Sequence, residues 1–578
     1  MSEFGKEAPR WRWPRLLLLA VTVVAGVAAQ YWLSIAFTPT WSAAAWLLAV
    51  SGFVGLYFLS AGERHFPGSG YADLTPRTEW VCLAAVFVVG AFFVGYRMDE
   101  IPDGLNHDAA WEGLYAIRIL EGERYTAYAA EAWGRETLTF YFRAVSVWLL
   151  GSTPFAVIAP AMLAGLLTLP FFYGWMRSMF GARLAVVATL FLAASGWHLV
   201  FSRTGWRSDF QPLFMAATCF FFFKGMQSRG VLEFFFAGLA LALTLNTYNA
   251  ARVFPAVFGL WVLAVALQGW RPLAFVRRYA FGFTWMGLGF AIAILPLAWF
   301  AFHHWDAFMG RAVALRGASE FGDALRASLL LFNFSGNGDD FFVKEPALEL
   351  PAAVLFVFGF LWVLLRLRDA RAQFVLIGLL VGTVPGLVSS PNLNRNIGTM
   401  IFVFACVGLG AVFFARQLRV LLPRVGRVAA VVLLVGAASA QVVAAFNQYL
   451  GDDRRPIWGY YPETTVLGRY MNTLVPDYEI WVGGANFPRD TLTYLTYQGS
   501  GNPMRRNYTW VDDLSLLQRL PRQGSGGKGR AIIVPPYGEG RVILDVIARQ
   551  NPQHEIVDLR FPPGQGPIFA RALLVPAP

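Results

Sequence analysis

The chain has 578 residues, of which 56% are hydrophobic, 16% aromatic and only 14% charged, and its mean hydropathy is +0.49. Soluble domains carry about 25% charged residues, so an ordinary soluble protein is excluded. The net charge of +11 does not imply nucleic acid, because Lys and Arg collect in the cytoplasmic loops of membrane proteins. Cys82, Cys219 and Cys406 all fall in apolar runs, which argues against a disulfide framework or a thiolate metal cluster.

Taken in order, apolar runs long enough to cross a hydrocarbon core about 30 Å thick fall at 15–37, 41–61, 79–97, 155–177, 184–202, 210–226, 231–249, 253–270, 279–301, 351–368, 373–390, 397–415 and 427–447. The first follows Arg10, Arg12 and Arg15 without a small-residue cleavage site, and reads as a retained span rather than a signal peptide. All are expected to be helices, since lipid leaves only helices or closed barrels and these runs lack strand alternation. The fold class is therefore an α-helical polytopic membrane protein with about thirteen spans.

With a cytoplasmic N-terminus, every inside loop is basic. These loops hold Lys6 to Arg15, then Arg64 and Arg77, Arg177 and Arg183, Lys224 and Arg229, Arg271 to Arg278, Arg366 to Arg371, and Arg416 to Arg427. The positive-inside rule thus places loops 97–154 and 302–350, and everything after about 448, on the outer face. Loop 97–154 is rich in carboxylates. Within it 110–120 has helical apolar spacing, and 137–150 reads as an interfacial helix interrupted by Arg143.

From 448 the chain turns polar and rich in Gly and Pro. Strand-like runs occur at Glu479–Val482, Ala531–Val534, Glu555–Leu559 and Ile568–Leu574, with helical patterns near 463–474, 512–520 and 539–550. This alternation predicts a small α/β extracytoplasmic domain. The division is then 1–78 with two spans, 79–447 as the membrane core, and 448–578. Gly524 to Gly529 precedes a strand instead of following one, so it reads as a turn and not a phosphate loop.

Outer turns should be poor in basic residues, yet they hold Arg203, Arg207, Arg252 and Arg395. Arg binds phosphate bidentately and keeps its charge, so these four suggest a site for an anionic lipid head group beside the carboxylates. Snorkelling to outer head groups is the alternative for any one of them. Asp108 reads by position as a helix N-cap. Glu112 lies one turn on, where the two carboxylates would raise each other's pKa. His107, His303 and His304 lack metal-ligand spacing, so no metal or other cofactor is indicated, although a divalent ion stays open.

The stretch Ile101-Pro102-Asp103-Gly104-Leu105-Asn106-His107-Asp108-Ala109-Ala110 resembles the first outer-loop motif of membrane glycosyltransferases of the GT-C fold. The nearest group is family 39, with the protein O-mannosyltransferases and aminoarabinose transferases. Gly134-Arg135-Glu136, the run from Phe201 to Arg207, Tyr248 to Pro255, and Asn394-Arg395-Asn396-Ile397-Gly398 agree with it. The resemblance covers about 95–415. It implies transfer of a sugar from a polyprenyl-phosphate donor to a hydroxyl of protein, lipid or glycan, with inversion, in the cell (inner) membrane. In that reading Asp108 is the base, Arg203, Arg207, Arg252 and Arg395 bind the donor phosphate, and Glu112, Arg135, Glu136, Asp209, Tyr248 and Asn394 line the site. Many relatives have Asp-Glu where this chain has Asp108-Ala109. A flippase of lipid-linked sugars and a non-catalytic scaffold are the alternatives; a transporter's internal repeat is not found.

Overall fold

The computed structural model describes residues 12–60, 74–123, 125–131, 134–268, 272–314, 320–336, 346–451, 460–483, 487–497, 507–519, 527–561, 564 and 566–577. Lys6, Arg10, Arg64, Arg271 and residues 524–526 of the glycine-rich turn lie outside the described residues.

The first helices are α1 (Arg12–Ser34), α2 (Pro39–Leu59) and α3 (Pro76–Gly95). The loop that follows carries α4 (His107–Leu120), a hairpin of β1 (Tyr128–Ala129) and β2 (Arg135–Glu136), and α5 (Leu138–Leu150). Next come α6 (Pro154–Phe180), α7 (Ala182–Ala193), α8 (Gly196–Thr204), α9 (Gln211–Ser228), α10 (Val231–Leu245), α11 (Pro255–Gln268) and α12 (Pro272–His303). Then follow α13 (Trp305–Ala314), α14 (Phe321–Leu330), α15 (Leu350–Leu364), α16 (Ala370–Val388), α17 (Met400–Leu421) and α18 (Gly426–Ala445). Proline stands in the first turn of α2, α3, α6, α9 and α15, where its missing N–H would have no helical partner anyway.

All thirteen apolar runs contain helix, but among the described residues only nine helices are long and apolar enough to span, or ten if the bent pair α7–α8 counts as one. This corrects the expected thirteen. At Ser195 the run 184–202 breaks by 58°, because the Ser195 hydroxyl caps a new helix by accepting from the His198 amide. Helices α10 and α15 have 15 residues each, or about 22 Å at 1.5 Å per residue, short of the hydrocarbon thickness. Helix α9 carries Gln211, Lys224 and Gln227 within its 18 residues.

Helix α17 is the central post, with 94% of its apolar window buried. Small residues let backbones meet in lipid, where no hydrophobic force distinguishes helix from solvent. A Cβ at Gly410 would overlap the Leu355 carbonyl of α15, and one at Gly359 the Cys406 carbonyl of α17.

The chain ends in α19 (Pro462–Leu474), β3 (Tyr478–Gly483), α20 (Arg489–Leu495), β4 (Thr509–Val511), β5 (Gly529–Val534), α21 (Gly538–Gln550), β6 (Glu555–Arg560) and β7 (Ile568–Val575). The five strands form a mixed sheet in the order β4-β3-β5-β7-β6. Strand β3 is parallel to β4 and β5, while β7 is antiparallel to β5 and β6. One face packs on Leu467 and Met471 of α19 and the other on Ile543, Leu544 and Ile547 of α21. Strand β4 and helix α20 are short and were not among the sequence expectations. Lys528, in the glycine-rich turn, donates to the Val475 carbonyl at 2.8 Å.

This region sits directly on α4. The Leu105 amide donates to Thr465 Oγ1 at 3.2 Å, and Tyr494 donates to the Thr153 carbonyl at 3.0 Å. A Cβ at Gly104 would overlap the Tyr460 carbonyl, and one at Gly113 would press on Tyr494 and Val157. Glycine at those two positions lets the loop lie between the membrane bundle and the C-terminal sheet region.

Candidate active site

Helix α4 begins two residues earlier than a cap at Asp108 would require. Asn106 is the cap, its Oδ1 accepting from the Asp108 amide at 2.8 Å and from Trp206 Nε1 at 3.1 Å. The Asp108 carboxylate, in the first turn, is therefore not used for capping. Its Oδ1 instead meets Arg135 Nη2 at 2.6 Å and His107 Nε2 at 3.8 Å. Hairpin pairing holds Arg135 in place, and its guanidinium lies over the Trp111 ring at 4.5 Å.

Burial pushes the pKa of Asp108 up, but Arg135, His107 and Arg207 outweigh it and hold the carboxyl below its ordinary value of 3.8. The upward shift expected for Asp108 does not occur, since its carboxyl is held below and not above the ordinary value. Glu112 is buried and lies 3.1 Å from Arg143, 3.3 Å from Arg207 and 3.7 Å from Arg135. This explains Arg143 inside the apolar α5: a buried charge needs a partner, and its partner is one helix away. Tyr461, whose ring meets His107 at 5.8 Å, has its pKa raised by burial and by the charge of Asp108.

A cavity of about 200 Å³ opens between α4, the Trp206–Phe210 turn, α13 and the segment before α17. Asp108, Glu112, Trp206, Arg207, Ser208, Tyr248, Arg311, Asn394 and Arg395 line it. Asn394 donates to the Tyr248 hydroxyl at 3.4 Å. Arg395 is fixed at its base, its amide bonded to Asn392 Oδ1 at 2.8 Å and its Nη1 to the Ser390 carbonyl at 3.0 Å. Arg311 has no carboxylate within 4.0 Å among the described residues, and it and Arg395 line the same cavity as Asp108.

Several expected site residues lie elsewhere. Arg203 donates to the carbonyls of Phe93 and Val94 at 2.8 and 3.1 Å, to Tyr96 at 2.8 Å, and to Ile101. It serves the orphan carbonyls at the end of α3 and lines no part of the cavity. Arg252 pairs with Glu136 at 2.9 Å and lies 3.7 Å over the Phe308 ring, so both partners stand beside the cavity rather than in its wall. Asp209 accepts from the Trp206 amide at 2.8 Å. Burial raises its pKa well above 3.8, and it supports the turn from behind. Among the described residues no group of three or more His, Cys, Asp or Glu is placed to hold a metal ion. His303 and His304 instead border a separate open groove of about 850 Å³ with Tyr125, Trp299 and Phe300.

Arg311, Trp206 and Ser208 went unrecognised in the sequence. Arg311 had a signal, being a basic residue in an expected outer loop, the same anomaly that singled out Arg207. Trp206 lay inside the Phe201–Arg207 motif without being singled out, and Ser208 had no signal.

Residues 137–299 match the family described as dolichyl-phosphate-mannose-protein mannosyltransferase. No curated protein matches the chain by sequence. Among solved structures, the chain is similar to ArnT from Cupriavidus metallidurans bound to undecaprenyl phosphate, with a TM-score of 0.55 at 15% identity over 86% of this chain and 98% of that one. The apo state of the same protein gives a TM-score of 0.53 over the same coverage, also at 15% identity. The oligosaccharyltransferase of Archaeoglobus fulgidus, tethered to an acceptor peptide, gives 0.47 at 10% identity over 84% of this chain and 69% of that one. The chain thus has the fold seen in ArnT, and its residues 137–299 are similar to the dolichyl-phosphate-mannose-protein mannosyltransferase family.

Proposed function

We propose that the protein is an inverting glycosyltransferase that moves a sugar from a polyprenyl-phosphate donor to a hydroxyl acceptor at the outer face of the membrane. The observation that carries this is the cavity that Asp108 lines together with Arg207, Arg311 and Arg395. A hydroxyl is a weak nucleophile until a positioned base takes its proton, and Asp108 is the base. The acceptor oxygen attacks the anomeric carbon from the Asp108 side as the bond to the lipid phosphate breaks. The departing phosphate gains negative charge, which fixed arginines stabilise most in the transition state. Glu112 is a positioning residue that holds Arg135, Arg143 and Arg207 in register. The aromatic groove along Trp299 and Phe300 is flanked by Tyr128, whose ring lies 5.0 Å from Phe300 and 5.4 Å from Phe308. It suits the polyprenyl chain.

The test is transfer by the purified protein from a panel of polyprenyl-phosphate sugars. Asp108→Asn should lower turnover at least a hundredfold, in line with loss of a general base, and equal turnover by both proteins refutes the assignment. A flippase would move labelled lipid across vesicles without releasing polyprenyl phosphate. Sidedness is tested by Ser515→Cys, at an exposed position of the C-terminal region. A membrane-impermeant thiol reagent should label it in intact cells, and labelling only after lysis places that region on the inside.

A further inference from the structure

A buried carboxylate stands apart from the cavity. Glu349, the residue before α15, is 6% exposed, and its side chain does not cap its own helix. It reaches instead to the break between α7 and α8, where the chain bends by 58°. Its Oε1 accepts from the Gly196 amide at 2.6 Å, and its Oε2 accepts from Gln441 Nε2 of α18. Gly196 opens α8, and the first amides of a helix have no partner within it. Here Ser195 takes the His198 amide and Glu349 takes the Gly196 amide. The fit is close, since a Cβ at Gly196 would overlap the Tyr449 ring in the π-helical turn Phe446–Leu450 after α18.

The other end of α8 bears on the candidate active site. Its nine residues at 1.5 Å each put the Gly205 turn about 14 Å from Gly196. Beyond that turn Trp206 Nε1 donates to Asn106, the cap of α4, at 3.1 Å, and Arg207 meets Glu112 at 3.3 Å. At the break the Gly196 amide goes to Glu349 and not to a carbonyl of α7, so the hold on the first turn of α8 comes from α15 and α18. We propose that Glu349 is a positioning residue for the candidate active site: it fixes the first turn of α8, and α8 in turn sets where Trp206 and Arg207 meet α4. Its effect on turnover rests on the glycosyl transfer proposed above; its hold on α8 does not.

Glu349 stands in the expected outer loop 302–350. Burial pushes its pKa from 4.5 up to about 7, while hydrogen bonds from its own amide, the Gly196 amide and Gln441 hold it from rising further, and among the described residues no charged group contributes. On α8, His198 is turned to the Gly165 carbonyl at 3.2 Å and Arg203 to the carbonyls after α3, while Tyr449 after α18 packs on Gly196. A carboxyl whose folded pKa is raised contributes stability that is fully present below 4.5 and is lost as pH rises to about 7. Ionisation therefore favours opening of the break to water. Glutamine keeps an oxygen for the Gly196 amide and has no charge to desolvate.

The experiment is hydrogen exchange read by mass spectrometry on the purified full-length protein, with transfer rates and thermal midpoints measured alongside. Glu349→Ala should speed exchange across 196–210 roughly tenfold, the effect of losing one buried hydrogen bond, with exchange in the C-terminal sheet unchanged, and should lower kcat by a similar factor. Glu349→Gln should recover most of both. Its thermal midpoint should exceed the parent's by a margin that grows from about pH 5 to about pH 7 and then levels. Unchanged exchange at 196–210 in Glu349→Ala overturns the proposal, as does an equal rise in the C-terminal sheet, or a Glu349→Gln protein no better than Glu349→Ala. If Glu349→Ala does not fold, the Glu349→Gln midpoint decides, and a margin that stays constant from pH 5 to pH 7 overturns the proposal. A parent that transfers no sugar from any donor refutes the glycosyltransferase function, while the exchange result still decides the hold on α8.

Discussion

Replacing Glu112 by Gln gives the sharpest test of the electrostatic arrangement around α4. The carboxylate is buried with about 1% of its side chain exposed, and it stands 3.1, 3.3 and 3.7 Å from Arg143, Arg207 and Arg135. Arg135 keeps Asp108, and Arg207 borders the cavity, where water reaches it. Arg143 is fully buried, and Glu112 is the carboxylate it faces at 3.1 Å. Removing one member of a buried pair costs about 3–5 kcal/mol, because the remaining charge stays desolvated and unpaired. For a chain of this length the midpoint should fall by roughly 5 °C, extending the size scaling of thermal shifts. The double variant Glu112→Leu/Arg143→Met removes both charges and should recover a large part of that loss, since apolar replacements of whole pairs are often neutral. The assay is thermal unfolding of the purified full-length protein in detergent. A Glu112→Gln protein as stable as the parent, or a double variant no more stable than the single, refutes the reasoning.

Arg311→Ala and Arg395→Ala should each raise the KM for donor by roughly 10- to 150-fold, the equivalent of a charge-assisted hydrogen bond of about 1.5–3 kcal/mol. Arg203→Ala should lower the thermal midpoint while leaving donor KM within about twofold, since its guanidinium serves backbone carbonyls; the reverse pattern refutes both placements. The pH profile of kcat/KM tests Asp108. Its pKa is depressed in the folded protein, so the carboxylate is charged, and its ion pair stabilises the fold, at all pH values above 3.8. Both are lost only as pH falls through the lower folded value. No acid limb attributable to Asp108 should appear between pH 5 and 8, Arg135→Gln should move the limb upward, and a limb in that window that Asp108→Asn abolishes refutes the depressed pKa.

The sequence by itself determined the helices, most of the C-terminal strands and the loop that carries the candidate site, because those follow from local signals. Runs of apolar residues, proline in first turns and short strand-like runs such as Ala531–Val534 act within a few residues. Span number was overcounted for the same reason: composition shows that 231–249 is apolar, but only the fold shows the helix stopping at Leu245. The motif around Asp108 was legible, while its surroundings were not. Arg203 and Arg207 stand four residues apart in one motif, and nothing local separates them. Gly205, with φ of +76°, ends α8 in a left-handed turn that no side-chain-bearing residue adopts cheaply, and past it the chain changes direction. Arg203 is thereby aimed at the carbonyls after α3, and Arg207 at Glu112, some 95 residues earlier in the chain. Which arginine meets a carbonyl, which a carboxylate and which an open cavity depends on partners about a hundred residues distant. Only the tertiary structure decides that, since an ion pair in a protein interior is set by packing and burial rather than by neighbours in sequence.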